Sequence, residues 1–166
     1  MSRRALVNVE QGTANPSVGT LLRISDVLGV GLPALVEPPS RRSVQITRRG
    51  EGAVLWRSEA GGRGVLLAGT QPPDVIELWD WTLAPEDHYA SDAHTAGTRE
   101  LLQVQQGTVT IAAGAESVTL KAGDALAFPG DVDHSYTNPH KKVARFVLSV
   151  FEPGVGAGPR QAVGDG

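Results

Sequence analysis

"GDALAFPGDVDHSYTN", residues 123–138, is the stretch on which the reading of the fold turns. Gly123 and Asp124 form a turn, the apolar run after them is a short buried strand, and Pro129 with Gly130 forms a second turn. His134 is then delivered four residues before Asn138. Outward from this stretch, residue 44 onward shows the same punctuation. The runs "VQITRR", "AVLWRS", "GVLLAG", "VIELWDWTL", "ELLQVQQGTVTIAAG", "ESVTLKAGDALAFP" and "VARFVLSVF" have a period near two and are separated by Gly, Pro and Asp. So many short strands without an intervening helix predict an antiparallel sandwich or barrel.

Composition narrows the classes. The chain has 166 residues, 40% of them hydrophobic, room for one ordinary domain or two small ones. It has no cysteine, which excludes disulfides and thiolate metal sites, so any metal must use His, Asp or Glu. Arg3, Arg4 and Glu10 interrupt the first residues, and there is no long apolar run. A cytoplasmic protein with no membrane partner is expected. Charge is split: residues 1–49 hold seven arginines against Glu10, Asp26 and Glu37, a net of +4, whereas the remainder carries a net of -7. A basic end on an acidic body suits a nucleic-acid-binding segment joined to a different domain, although uneven solvated charge would look the same.

Residues 123–138 resemble the second sequence motif of the cupin family, with Gly123, Pro129, His134 and Asn138 in register and Asp131 where a glycine usually stands. "HTAGTRELLQVQQG", residues 94–107, resembles the first motif through His94, Glu100 and Gly107, with Ala96 at the second histidine position. The resemblance implies a mainly β fold, a cupin barrel (a double-stranded β-helix, or jelly roll) over residues 44–152. His94, Glu100 and His134 would then gather on its inner surface beside Phe128 and Tyr136. Two histidines and a carboxylate resemble the facial triad that holds a divalent metal ion, iron, manganese or zinc, as cofactor. The same three could instead line a polar ligand pocket or satisfy one another by hydrogen bonds. His88 and His140 are read as loop histidines, and Trp79 with Trp81 as one face of a strand that serves core or dimer packing.

The first 37 residues have a helical pattern. Ser2 can cap a helix that ends at Gly12, and Asn15 with Pro16 can open a second, in which Val18, Leu21, Leu22, Ser25 and Leu28 form a stripe and Gly29 is the stop. "LPALVE" is a third helix, residues 38–43 a linker, and the glycine-rich residues 153–166 a tail expected to be disordered. "SRRALVNVEQGTANPSVGTLLRISDVLGVGLPALVE" resembles the lambda-repressor-like helix-turn-helix family found in xenobiotic-response-element regulators. The resemblance makes residues 2–11 the recognition helix, with Ser2 at its start, Arg3, Arg4 and Asn8 facing bases, and Gln11 and Thr13 near phosphates of double-stranded operator DNA. Family members have two helices before this one, so residues 1–37 are expected to be a partial helix-turn-helix segment, with impaired binding or a start inside a longer reading frame.

The expectation is therefore a non-enzymatic transcriptional regulator whose cupin domain senses a small-molecule effector and forms a homodimer. The alternatives are a metal-dependent cupin oxygenase or isomerase, and a ligand-binding cupin without DNA activity.

Overall fold

The computed structural model describes residues 7, 11, 16–36 and 44–156. Two helices open the described part: α1, Val18–Leu28, and α2, Leu32–Val36. Ten strands follow, namely β1 Ala53–Arg57, β2 Arg63–Gly69, β3 Val75–Leu83, β4 His88–Ser91, β5 Arg99–Gln106, β6 Thr108–Ala113, β7 Glu116–Lys121, β8 Ala125–Pro129, β9 His134–Thr137 and β10 Ala144–Glu152.

The strands make two antiparallel sheets, one ordered β1-β2-β3-β10-β5-β8 and the other β4-β9-β6-β7. This is the mainly β jelly roll expected from the motifs. Its centre is the pair β3 and β10, nine residues each and in register from Val75↔Glu152 to Leu83↔Ala144. Burial alternates along both strands because successive side chains point to opposite faces. Val75, Glu77, Trp79, Trp81 and Leu83 of β3 are buried, as are Ala144, Phe146, Leu148, Val150 and Glu152 of β10.

Trp81 is the hub of this core. Its ring lies 4.7 Å from that of Tyr89, 5.3 Å from Tyr136, 5.4 Å from Trp56 and 5.9 Å from Phe146, within the range of favourable aromatic pairs. Trp79 and Trp81 are thus core residues. Gly64 on the neighbouring strand is matched to this hub, since a Cβ there would meet three Trp81 ring carbons at 2.8–2.9 Å.

Several local expectations change. "VQITRR" forms no strand: Val44 and Ile46 are 70% and 65% exposed, and with no strand pairing there, nothing is available to bury their apolar faces. Two short strands escaped the sequence reading, β4 and β9. They pair with each other, so His88 belongs to a strand, where its Nδ1 lies 2.8 Å from Thr137 Oγ1. His140 is exposed outside any strand.

The α1 cap is Ser17, in extended conformation, whose Oγ accepts the Thr20 amide at 3.2 Å and whose carbonyl accepts it at 2.9 Å, so the helix begins two residues after Pro16. Gly29 ends it in the left-handed conformation, φ 62°. Leu28 leaves the expected stripe and is 59% exposed; the chain turns at Gly29 into α2, where Leu32 is fully buried.

Of the first predicted helix, only Val7 and Gln11 are described, joined by a Gln11 amide to Val7 carbonyl bond of 3.0 Å. Ser2, Arg3, Arg4, Asn8 and Thr13 lie outside the described residues, as do 38–43 and 157–166. Residues 153–156 are held by hydrogen bonds: Val155 N–H donates to the Pro73 carbonyl at 2.7 Å and Gly154 N–H to Asp74 Oδ1 at 3.1 Å. The ordered chain therefore runs past the predicted start of the tail at 153.

Candidate functional site

His94, Glu100 and His134 come from three places, the loop before β5, the second residue of β5 and the start of β9. The Pro129-Gly130 turn draws them together. Gly130 carbonyl accepts the His94 amide at 3.0 Å, and Gly130 N–H donates to the Thr98 carbonyl at 3.1 Å. A side chain at 130 would collide with Thr98 Cγ2 at 2.8 Å and crowd Glu100 Cγ and Oε1 at 3.2 and 3.3 Å. Only glycine lets the turn close over the glutamate. Asp131, at the position where the motif usually has glycine, fastens the same region: its Oδ2 accepts the Gly97 amide at 2.8 Å.

Glu100 Oε1 is 3.3 Å from His94 Nε2 and 3.2 Å from His134 Nε2, and Oε2 accepts the Tyr136 hydroxyl at 2.6 Å. His134 Nδ1 lies 2.8 Å from the Val132 carbonyl, an acceptor, so Nδ1 carries the proton. In the neutral ring Nε2 is then a lone pair facing a carboxylate oxygen. His134 Nε2 and Glu100 Oε1 are buried and make no aligned hydrogen bond, although they are close. Such an arrangement needs a positive charge between or on the partners, either a proton on His134 or a bound cation.

Burial alone would lift the Glu100 carboxyl, but the close approach of the His134 and His94 rings, the His134 charge and the Tyr136 hydrogen bond outweigh it and hold it down at about 2. Burial would lower the His134 imidazolium, and Glu100 reverses this to a net rise. Burial, with Glu100 adding to it, pushes the Tyr136 hydroxyl well above its ordinary value, so Tyr136 is a neutral donor to Glu100.

A metal also fits the donor set. His94, Glu100 and His134 each offer one ligand atom, all within 4.8 Å of one another. Metal–ligand bonds of about 2.1 Å imply ligand–ligand spacings of about 3.0–3.4 Å in tetrahedral or octahedral geometry, which matches the 3.2 and 3.3 Å contacts to Glu100. Ala96 supplies no fourth ligand and is exposed.

The surrounding cavity is small, about 20 Å³, and is lined by Val18 and Leu22 of α1 together with Trp79, Tyr89, Leu148 and the residues of the cluster. Tyr136 lines it with His94, Glu100 and His134, as expected. Phe128 is buried behind His134, ring centroids 5.9 Å apart, and is core rather than lining. Sequence reasoning missed two buried acids. Glu77 Oε2 accepts the Trp79 indole N–H at 2.9 Å, and Glu152 Oε1 is 4.0 Å from His94 Nδ1. Burial raises the Glu152 carboxyl, which His94 opposes, while Asp26 and Glu100 add to the rise. The signal for Glu77 was present: it alternates with Val75, Trp79 and Trp81 on one face of a single strand.

Comparison with known proteins agrees with the fold. The HTH-type transcriptional regulator SutR of Escherichia coli (strain K12) is 24% identical over 153 residues, covering 92% of this chain and 82% of that protein. A crystal structure of an HTH_3 family transcriptional regulator from Vibrio cholerae superposes with a TM-score of 0.64 at 20% identity, covering 92% of this chain and 81% of that one. KdgF from Halomonas sp. shares the fold at a TM-score of 0.51 and 18% identity, over 67% of this chain and 94% of its own. The cupin domain family model matches residues 79–151, the segment that holds β3 to β10 almost entirely and includes His94, Glu100 and His134.

Proposed function

We propose that the protein is a transcriptional regulator in which the N-terminal helical segment binds operator DNA and the cupin barrel receives a small-molecule effector. The observation that carries this reading is the similarity to SutR over 92% of the chain, which spans the helical segment and the barrel together. The proposed division follows the sequence: residues 1–37 for DNA, 38–43 as linker, 44–152 as sensor and 153–166 as tail. Ser2, Arg3, Arg4, Asn8, Gln11 and Thr13 form the proposed DNA face; of these Gln11 is described and exposed. The compartment proposed is the cytoplasm, where such a regulator meets its operator.

A second copy is proposed to pair through the outer face of the larger sheet. There Leu78, Ser149, Leu101 and Ala127 lie in register across β3, β10, β5 and β8, and Leu78 and Leu101 are 41% and 56% exposed. Pairing would set two DNA segments on one palindromic site. Light scattering of Leu101→Lys should show a shift toward monomer.

The DNA reading is tested by binding to the promoter of the protein's own gene at about 50 and 200 mM salt, where a contact set of several phosphates predicts a fall of orders of magnitude in affinity. Arg3→Ala with Arg4→Ala should remove sequence selectivity. Equal binding to promoter and unrelated DNA, or no binding at all, would overturn it.

The spacing of His94, Glu100 and His134 supports a second reading, a divalent metal in the barrel. A metal held there would supply a Lewis acid with open positions for an effector or substrate oxygen. The three residues would hold it, Tyr136 would orient Glu100, and the Val132 carbonyl would fix the His134 tautomer. A metal-dependent oxygenase or isomerase follows only if turnover accompanies the bound ion; elemental analysis of protein purified without chelator is the first discriminator.

A further inference from the structure

The effector cavity is too small for an effector. About 20 Å³ accommodates roughly one water, whereas small-molecule sites occupy about 300–1,000 Å³. What closes it is the helix α1. Val18 is only 6% exposed and belongs to the same apolar cluster as Trp79, Trp81 and Leu148, Leu22 packs against that cluster, and both line the cavity beside His94 and Tyr136. On the outer side of the same helix lies a cleft of about 550 Å³, between α1 and β1 and β4, bordered by Trp56, Tyr89 and again His94. His94, Val18, Leu22, Tyr89 and Ser91 line both spaces, so the side chains of α1 form much of the wall between them.

The helix has the attachments of a hinged part. On its C-terminal side, α2 is anchored: Leu32 is fully buried, Gly69 has no room for a Cβ because Pro33 occupies that space, and a Cβ on Gly31 would meet Val75 Cγ2 at 2.9 Å. Between that anchor and α1 stands Gly29, in the left-handed region at φ 62° and lying against the backbone of Gly156. A glycine there can absorb a backbone rotation without moving α2. Against the barrel, α1 itself offers Val18, Leu21, Leu22 and Ser25. Arg23 and Asp92 form an exposed 3.7 Å pair across the cleft, which contributes little in water, and Val27 is 86% exposed.

We propose that α1 is a hinged plug of the barrel, so that an effector in the barrel and α1 docked on its mouth exclude each other. Effector binding then swings out α1, the helix that follows the proposed recognition helix, and changes how the DNA segment is held. An effector favours the undocked arrangement to the extent that it binds there and not in the docked one. This rests on the reading that the barrel receives a small molecule.

The absence of cysteine makes the test clean, because any introduced thiol is the sole thiol. The reaction of N-ethylmaleimide with Leu148→Cys, inside the barrel, reports access to the cavity, and its reaction with Leu22→Cys reports undocking of α1. Leu22→Cys should react at least tenfold more slowly than the exposed Arg23→Cys. Adding Leu22→Asp to Leu148→Cys should speed the interior reaction at least tenfold, with thermal unfolding of the β-sheet signal unchanged. If the aspartate chain does not fold, Leu22→Ala replaces it, with an acceleration of threefold or more expected. Interior labelling that is indifferent to position 22, or Leu22→Cys as reactive as Arg23→Cys, would overturn the plug. Neither measurement uses DNA or effector, so a failed promoter assay leaves this result standing, and the reverse holds too.

Discussion

Replacing Glu100 by glutamine tests the charge logic of the cluster. The variant keeps volume and an acceptor for the Tyr136 hydroxyl, and removes the charge that faces His134 at 3.2 Å. At that separation and an effective dielectric of about 20, a carboxylate and an imidazolium attract by about 5 kcal/mol, and desolvation of the pair takes back a large part. Removing one partner of a buried pair costs about 3–5 kcal/mol when the other charge stays. Here His134 can escape by losing its proton, so the cost depends on pH. With Glu100 present the His134 pKa is raised. Its contribution is fully present below the unfolded value of about 6.5 and is lost as pH rises through the raised folded value.

In Glu100→Gln, burial, the largest influence on His134, is opposed only by the Val132 carbonyl and the Asp133 charge, so its pKa is expected to fall below the ordinary value, and stability is then lost as pH falls. The two chains should therefore diverge on acidification. We expect a difference of about 3 kcal/mol near pH 5.5 that narrows toward pH 8. The held-down pKa of Glu100 expresses the same attraction from the other partner and adds nothing further. Urea unfolding at both pH values in EDTA, with an NMR titration of His134, measures this. A difference independent of pH, or a His134 pKa that does not fall, would refute the reasoning.

Other positions give sharper structural readouts. Asn138 Nδ2 donates to the carbonyls of Leu83, Ala84 and Lys142 at 3.1, 3.0 and 2.8 Å while its Oδ1 accepts the His140 amide, so Asn138→Ala should lose about 2–4 kcal/mol in thermal unfolding by leaving buried carbonyls unpaired. Gly64→Ala forces a methyl against the Trp81 ring, and a loss of about 1–3 kcal/mol with an altered near-ultraviolet tryptophan signal is expected; an unchanged spectrum would show that the strand yields instead. Calorimetry with manganese or zinc should find one equivalent bound, abolished in His134→Ala and weakened by Tyr136→Phe; binding indifferent to His134 would place the ion elsewhere.

Much of this protein was legible before folding. Alternation along "VIELWDWTL" and "VARFVLSVF" identifies β3 and β10, since successive side chains of a pleated strand point to opposite faces. The spacing of Gly123, Pro129, His134 and Asn138 marks a turn, a strand and a second turn, local features whose geometry is set by glycine and proline. His94, Glu100, His134 and Tyr136 were named in advance and do meet.

Tertiary structure alone decided the rest. "VQITRR" has the same alternation as the true strands and pairs with none of the described residues, whereas β4 and β9, too short to signal themselves, form because β9 lies between β4 and β6 and pairs with both. Glu152 becomes a buried acid because β10 continues into the barrel mouth beside His94, and Phe128 becomes core because His134 stands between it and the cavity. The position of α1 is the largest such decision. Its sequence specifies an amphipathic helix with a capped start and a glycine stop, but an apolar stripe does not say what it will cover. The barrel, open at the end where His94 and Glu100 lie, supplies the surface, and Val18 and Leu22 fill it.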